Sequence, residues 1–238
     1  MAQDGLLTAS VGAEYTTGDY GLDEKTDMSS FSLAARYEIG RWTYRASMPY
    51  IHISGPSNVV GSGEGGVTLP GQGGSRRSAS GFGDLVLGAS YLALHKRAAP
   101  FYLEVGGKVK LGTGDETKGL GTGEEDFSLQ AEVFKPYGAF TPFATLGYRW
   151  YGDLEGIDLR NVAYGSLGGV YRVSAATSAG AVYDFRDRII DGGARLSELV
   201  AFVSRSLSPD LKLQIYVLKG FADASPDRGV GAVLSHTY

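Results

Sequence analysis

The sequence predicts an all-β chain, a closed antiparallel transmembrane β-barrel of twelve strands. Three observations carry this expectation. From Phe101 to Trp150 apolar and polar residues alternate with period two in successive runs. The first run sets Phe101, Leu103, Val105, Val109 and Leu111 against Tyr102, Glu104, Gly106, Lys108 and Lys110. Long glycine-rich connections also alternate with short turns along the whole chain. Finally, aromatic residues gather at strand ends while small aliphatic residues fill the middles. Tyr37, Trp42, Phe101 and Phe140 mark one end, and Tyr15, Tyr50, Tyr148 and Trp150 the other. A buried core would concentrate its rings at the centre, whereas two membrane interfaces collect them into two girdles.

The totals agree with this class. The chain has 238 residues, with 36 glycines, 15 tyrosines and no cysteine, so disulfides and thiolate metal sites are excluded. A net charge of −4 gives no case for nucleic acid. No run of about 18 apolar residues exists to make a spanning helix. The mean hydropathy of −0.08 suits a soluble protein equally well, because each barrel strand is half polar. Met1-Ala2-Gln3-Asp4 reads as a mature start with an added initiator Met. The expected location is the outer membrane of a Gram-negative bacterium, with the signal peptide absent.

In chain order, the first strand covers Gly5 to Thr17, with Leu7, Ala9, Val11, Ala13 and Tyr15 on one face. An acidic loop, Gly18 to Asp27, leads to a strand from Met28 to Ile39. Gly40-Arg41 makes a two-residue hairpin turn. The next strand turns Trp42, Tyr44, Ala46, Met48 and Tyr50 outward. Gly55 to Ser80 is the longest loop, rich in Gly and Ser, with Arg76 and Arg77 near its end. A fourth strand, around Asp84 to Ala93, precedes the three central strands. After Trp150 come a loop from Gly152 to Leu159 and a strand carrying Leu167, Gly169, Tyr171 and Val173. Four further strands centre on Ala181, Ala201, Ile215 and Ala232 and end at Tyr238. An even count puts both termini on the side of the short turns, the periplasmic side of such barrels. One domain spans residues 1–238. Twelve strands close into a cylinder roughly 25 Å across, wide enough for a narrow pore.

The polar face defines the expected lumen. Its acids are Glu14, Glu38, Asp84, Glu104, Glu132, Asp184 and Glu198, and its bases Arg36, Arg45, Lys108, Lys110, Arg149, Arg172, Arg186 and Lys212. Near balance argues against a strongly ion-selective pore and for neutral solutes or a wall braced by ion pairs. Tyr102, Phe134, Tyr151 and Tyr216 also point inward, as an aromatic track or as filler. Arg76 and Arg77 are candidate gate residues: paired with the inward Asp84, they would hold the long loop across the mouth.

Met48-Pro49-Tyr50-Ile51, Ser80-Gly81-Phe82-Gly83-Asp84-Leu85, Lys110-Leu111-Gly112-Thr113-Gly114-Asp115, Gly119-Leu120-Gly121-Thr122-Gly123, Gly147-Tyr148-Arg149 and Ser225-Pro226-Asp227 occur in that order. With this set, from about Phe31 to Tyr238, the chain resembles the outer-membrane channel family associated with meta-pathway phenol degradation. The resemblance implies a barrel for uptake of small, mostly hydrophobic or aromatic compounds. The chain departs from the pattern where Leu111-Gly112-Thr113 lacks a proline before the threonine, and where it ends in Tyr238 rather than Phe.

Other signals are weaker. The glycine-rich stretches Gly61 to Gly66 and Gly112 to Gly123 lack the ending of a phosphate loop. Asp153, Glu155 and Asp158 read as solvated loop charge rather than a calcium site. His52 and Ser54 share a face and suggest an alternative, a membrane-facing lipid hydrolase, but no acid adjoins them to orient the base. A plugged structural barrel is a third reading. No cofactor and no metal is implied. The expected partners are outer-membrane lipid, a small organic solute and, through the last strand, the barrel-assembly machinery. No nucleic-acid partner is expected, and the barrel is read as a monomer.

Overall fold

The computed structural model describes residues 5–62, 65–68, 76–95, 100–154 and 156–238. Period-two alternation becomes fifteen β-segments: β1 (Leu6–Gly18), β2 (Thr26–Ile39), β3 (Trp42–Pro56), β4 (Val59–Ser62), β5 (Gly65–Thr68), β6 (Arg76–Phe82), β7 (Leu85–Leu94), β8 (Tyr102–Leu111), β9 (Asp126–Phe134), β10 (Phe140–Trp150), β11 (Val162–Arg172), β12 (Thr177–Arg186), β13 (Leu196–Ser206), β14 (Leu211–Gly220) and β15 (Arg228–Thr237). Thirteen of them form one antiparallel sheet, and β4 and β5 pair separately as a hairpin. β6 and β7 are two halves of one bent strand, so the sheet closes as a barrel of twelve.

Closure runs through β1 and β15, paired from Thr8↔Thr237 to Thr17↔Arg228. The Tyr238 amide adds a bond to the Leu7 carbonyl at 2.8 Å. With both edges consumed, the spanning wall presents no open sheet edge, as a lipid interior demands. The Gly40-Arg41 turn joins partners Ile39↔Trp42, and the positive φ of 61° at Gly40 is the backbone geometry that a side chain resists.

Two corrections to the expected connections arise here. The segment from Arg76 to Phe82 is strand, paired with β3 from Pro56↔Arg76 to Tyr50↔Phe82. The wall therefore resumes at Arg76 rather than after Ser80. Between Tyr50↔Phe82 and Ser47↔Val86 the β6–β7 side carries one more residue than β3, a β-bulge at Gly83-Asp84. The bulge resets the alternation, so Phe82 and Leu87 are both exposed outward while Asp84 is fully buried.

The outer face is apolar from end to end. Val11, Leu33, Leu87, Val105, Leu129, Leu146, Leu167, Val203, Ile215 and Val230 are exposed along it. Tyr37, Trp42, Phe140 and Tyr171 are exposed at the end of the short turns, and Tyr15, Tyr50, Tyr148 and Trp150 at the other. Outer rings pack in pairs, such as Trp42 with Tyr91 and Tyr148 with Trp150, each at 4.9 Å between centroids. The buried apolar clusters lie within the outer mouth, among the inward side chains of β3 and β11 and the long loops.

Candidate functional site

The inner wall is built by residues one step out of phase with the exposed apolar set. Its aromatics follow a simple steric rule. Phe143, Tyr164, Phe202 and Tyr216 each have glycine as a direct cross-strand partner: Gly168, Gly147, Gly180 and Gly231. A Cβ on any of these glycines would collide with the partner's ring. The rings thus lie along the wall over the missing side chains, so they take less of the bore. Tyr216 reaches past Gly231 to donate its hydroxyl to Glu14 at 2.6 Å, and Tyr164 donates to Gln130 at 3.0 Å. Of these four, Tyr216 alone belongs to the expected aromatic set. Phe143, Tyr164 and Phe202 were missed because the glycine pairing that marks them exists only once register is known.

Charges of both signs line the wall. Asp184 and Glu198 are direct partners on β12 and β13, with Glu14 on β1. Arg149 on β10 stands two strands from β12, Lys108 on β8 four, and Arg45 on β3 half-way round the barrel. Arg45 donates to Ser90 at 2.7 Å and pairs with Glu104 at 3.3 Å. Glu132 accepts from Thr145 at 3.3 Å. Arg149 lies over the rings of Tyr151 and Tyr164, at 5.7 and 5.6 Å. Arg186 is buried at the outer end of β12.

Several expected lumen residues sit at the short-turn rim rather than mid-barrel. Arg36 and Glu38 pair with each other at 2.8 Å, both half exposed. Arg172 reaches the turn carbonyl of Gly138 at 3.5 Å, and Lys212 is exposed beside the 207–210 turn. Tyr102 and Phe134 stack face to face at 4.8 Å, also at that end.

Toward the outer end the wall carries a buried ion cluster. The Lys110 ammonium is 5% exposed and donates to Asp84 at 3.0 Å, to Thr122 Oγ1 at 2.7 Å and to the Glu124 carbonyl at 2.9 Å, with Asp126 at 3.4 Å. The other Asp84 oxygen accepts the Gly114 amide at 2.9 Å. A charge this deep is tolerable only because its three protons are all donated and carboxylates stand beside it. The cluster fastens the 112–125 loop to the wall.

That loop belongs to a plug. Val59 joins Tyr20, Ile51, Ile53 and Leu120 in one cluster, and Val60 joins Val162 and Ile189 in another, backed by Tyr151, Leu154 and Ile157. Strand β4 therefore bridges from inward residues of β3 to an inward residue of β11, across the mouth. Burial raises the Tyr20 hydroxyl well above its usual range. The hairpin is held by the Gly61 amide on the Gly119 carbonyl at 2.9 Å and by Arg77, which donates to the Val59 carbonyl at 3.0 Å. This corrects the expected Arg77–Asp84 pair: Asp84 is consumed by Lys110, and Arg77 grips the hairpin backbone instead. The Arg76 side chain, Glu155 and most of Ser62 to Ser75 lie outside the described residues. Tyr151 likewise belongs to the plug rather than to an aromatic track.

The expected His52–Ser54 pair is also corrected. Antiparallel pairing sets His52 against Ser80, and its Nδ1 lies 2.6 Å from the Ser80 Oγ. Ser54 faces Asp27 and Ser78 instead.

Among solved structures, the fold is similar to an outer membrane channel from Pseudomonas putida F1, with a TM-score of 0.69 at 17% identity over 100% of this chain and 96% of that one. It is also similar to the NanC porin, TM-score 0.61 at 9% identity over 96% and 98%, and to the KdgM porin, TM-score 0.59 at 9% over 96% and 99%. No curated protein sequence matches. The family model described as "Putative MetA-pathway of phenol degradation" matches residues 8–238. The chain belongs to that family.

Proposed function

We propose that this protein is a passive channel in the outer membrane of a Gram-negative bacterium, admitting small, mainly hydrophobic or aromatic solutes. The observation that carries this reading is the inner wall, where rings lie over cross-strand glycines and leave a bore lined with both aromatic faces and fixed charge. Such a wall offers a neutral ring a series of weak contacts, favourable enough to enter and weak enough to leave. The family points to the same solute class. The β4–β5 hairpin is the gate, and traffic requires it to move. The barrel works as a monomer surrounded by lipid, and its last strand presents the exposed Tyr238 to the assembly machinery. It is not an enzyme in this reading, and the His52–Ser80 contact is a cross-strand hydrogen bond on the lipid side.

The test is flux of phenol and toluene into proteoliposomes carrying the full chain or a variant with residues 61–74 replaced by a short Gly-Ser link. The expected result is faster flux in the shortened variant, unchanged by His52→Ala with Ser80→Ala. Equal flux into protein-free and shortened-variant vesicles would overturn the channel reading.

A further inference from the structure

We propose that Arg45, Gly88 and Lys108 form a cradle in the lumen wall for the carboxylate of a small aromatic acid, its ring lying over Gly88. This deepens the channel reading and rests on it. Arg45 pairs with Gly88 across β3 and β7, and Gly88 pairs with Lys108 across β7 and β8. The three therefore form one row across three adjacent strands, two cations flanking a position without a side chain. The strand spacing puts the flanking Cα atoms about 10 Å apart. A recess of about 160 Å³ opens there, with Ser90 and Gln130 also on its rim. That is below the roughly 300 Å³ at which drug-sized sites begin, and it suits a single ring.

Three features point to a planar carboxylate. At four inward glycines, Gly147, Gly168, Gly180 and Gly231, the ring of the cross-strand partner fills the place of the missing side chain. The cross-strand partners of Gly88 are Arg45 and Lys108, so this seat is left for a ring from outside. A Cβ built at Gly88 sits in ordinary contact with Lys108 Cγ and the Gly107 carbonyl, each at 3.5 Å, so a carbon fits at the base of the recess without a clash. Arg45 is held by Ser90 at 2.7 Å and Glu104 at 3.3 Å. These contacts use two of the five N–H donors of a guanidinium, whose fork matches a carboxylate. Lys108 lies within electrostatic reach of Asp184 on the facing wall. Glu104 pairs with Arg45 and Glu132 stands within its electrostatic reach, so an anionic head meets the Arg45 donors those acids leave over, with Lys108 on the far side of the seat.

Isothermal titration of the full chain in detergent, with benzoate, phenol and inorganic phosphate, tests the proposal. Benzoate is expected to bind saturably, with phenol at least about tenfold weaker for want of a charge-assisted contact and phosphate at least about tenfold weaker for want of a ring to bury. Lys108→Gln should weaken benzoate by at least about tenfold on the same ground. Gly88→Leu fills the seat and should abolish binding, while Gly88→Ala should keep it. Heat-shifted gel mobility checks that Gly88→Leu is folded, and Lys108→Gln decides alone if it is not. No saturable benzoate binding in the parent overturns the cradle. So does equal binding of benzoate and phosphate, or benzoate binding untouched by Lys108→Gln. The channel reading is judged separately by phenol and toluene flux: flux without benzoate binding removes the cradle and leaves the channel standing.

Discussion

Truncating the two valines that seat the hairpin is the sharpest probe of the gate. Val59 and Val60 are 0% and 5% exposed, packed on Ile51, Ile53 and Leu120 on one side and on Val162 and Ile189 on the other. The double change Val59→Ala, Val60→Ala removes two carbons at each position. At about 0.8 kcal/mol per buried carbon, the closed state should lose about 3 kcal/mol. The backbone bonds from Arg77 to the Val59 carbonyl and from Gly61 to Gly119 do not depend on those side chains and should persist. At 1.4 kcal/mol per decade, the open-to-closed ratio should rise about a hundredfold. The closed state contains the valine contacts and the open state does not, so the whole change should appear there. Single-channel recording in planar bilayers reads it directly, as shorter closed times at unchanged open-state conductance. Barrel stability should hold, because β4 and β5 pair with each other and contribute no strand to the closed sheet. Dwell times equal to those of the parent would refute the gate. A lower open conductance would show that the hairpin shapes the bore rather than closing it.

Lys110→Met should lower resistance to urea or heat by about 3–5 kcal/mol, since it leaves Asp84 and Asp126 buried without their common counter-charge; an unchanged unfolding midpoint in detergent would contradict this. Deleting Tyr238, which is 71% exposed, should reduce outer-membrane levels in cells while barely affecting refolding into detergent, and equal cellular levels would refute a role in assembly. Asp115 caps the turn Glu116–Lys118 and is held at about 2, below the usual 3.8, first by its bond with Lys118 and then by Thr117. Its contribution is therefore full above about pH 4 and fades as the pH falls toward 2. Protection of the Leu120 amide, bonded to the Asp115 carbonyl at 3.0 Å, should fall over that window in the parent and be low throughout in Asp115→Ala.

Most of the spanning wall is legible in the one-dimensional pattern. Alternation alone places Leu33, Leu146 and Leu167 on the lipid face and Glu14, Lys108 and Asp184 on the other. A strand's side-chain period of two leaves no third option once a single face is known. Loop lengths orient the barrel, and the Gly40-Arg41 turn is fixed by local backbone chemistry. The family resemblance rests on short motifs such as Ser80 to Leu85, which are continuous stretches and so equally readable.

What the pattern does not contain is which residues meet across strands. Whether Asp84 pairs with Arg77 or with Lys110 depends on the bulge at Gly83-Asp84 and on the β7–β8 register. Gly147 meets Tyr164 only because β10 and β11 align as they do. His52 meets Ser80, not Ser54, because β6 is a strand that glycine- and serine-rich composition disguises as loop. The plug depends on contacts among loops far apart in the chain, with Val59 and Val60 short apolar marks in a polar stretch. Residues 8–238, taken one strand at a time, determine a barrel and its two faces. The tertiary structure alone decides the ion cluster, the ring seats and the closed mouth. Each of these joins residues from different strands or loops, and register and closure set the distances between them.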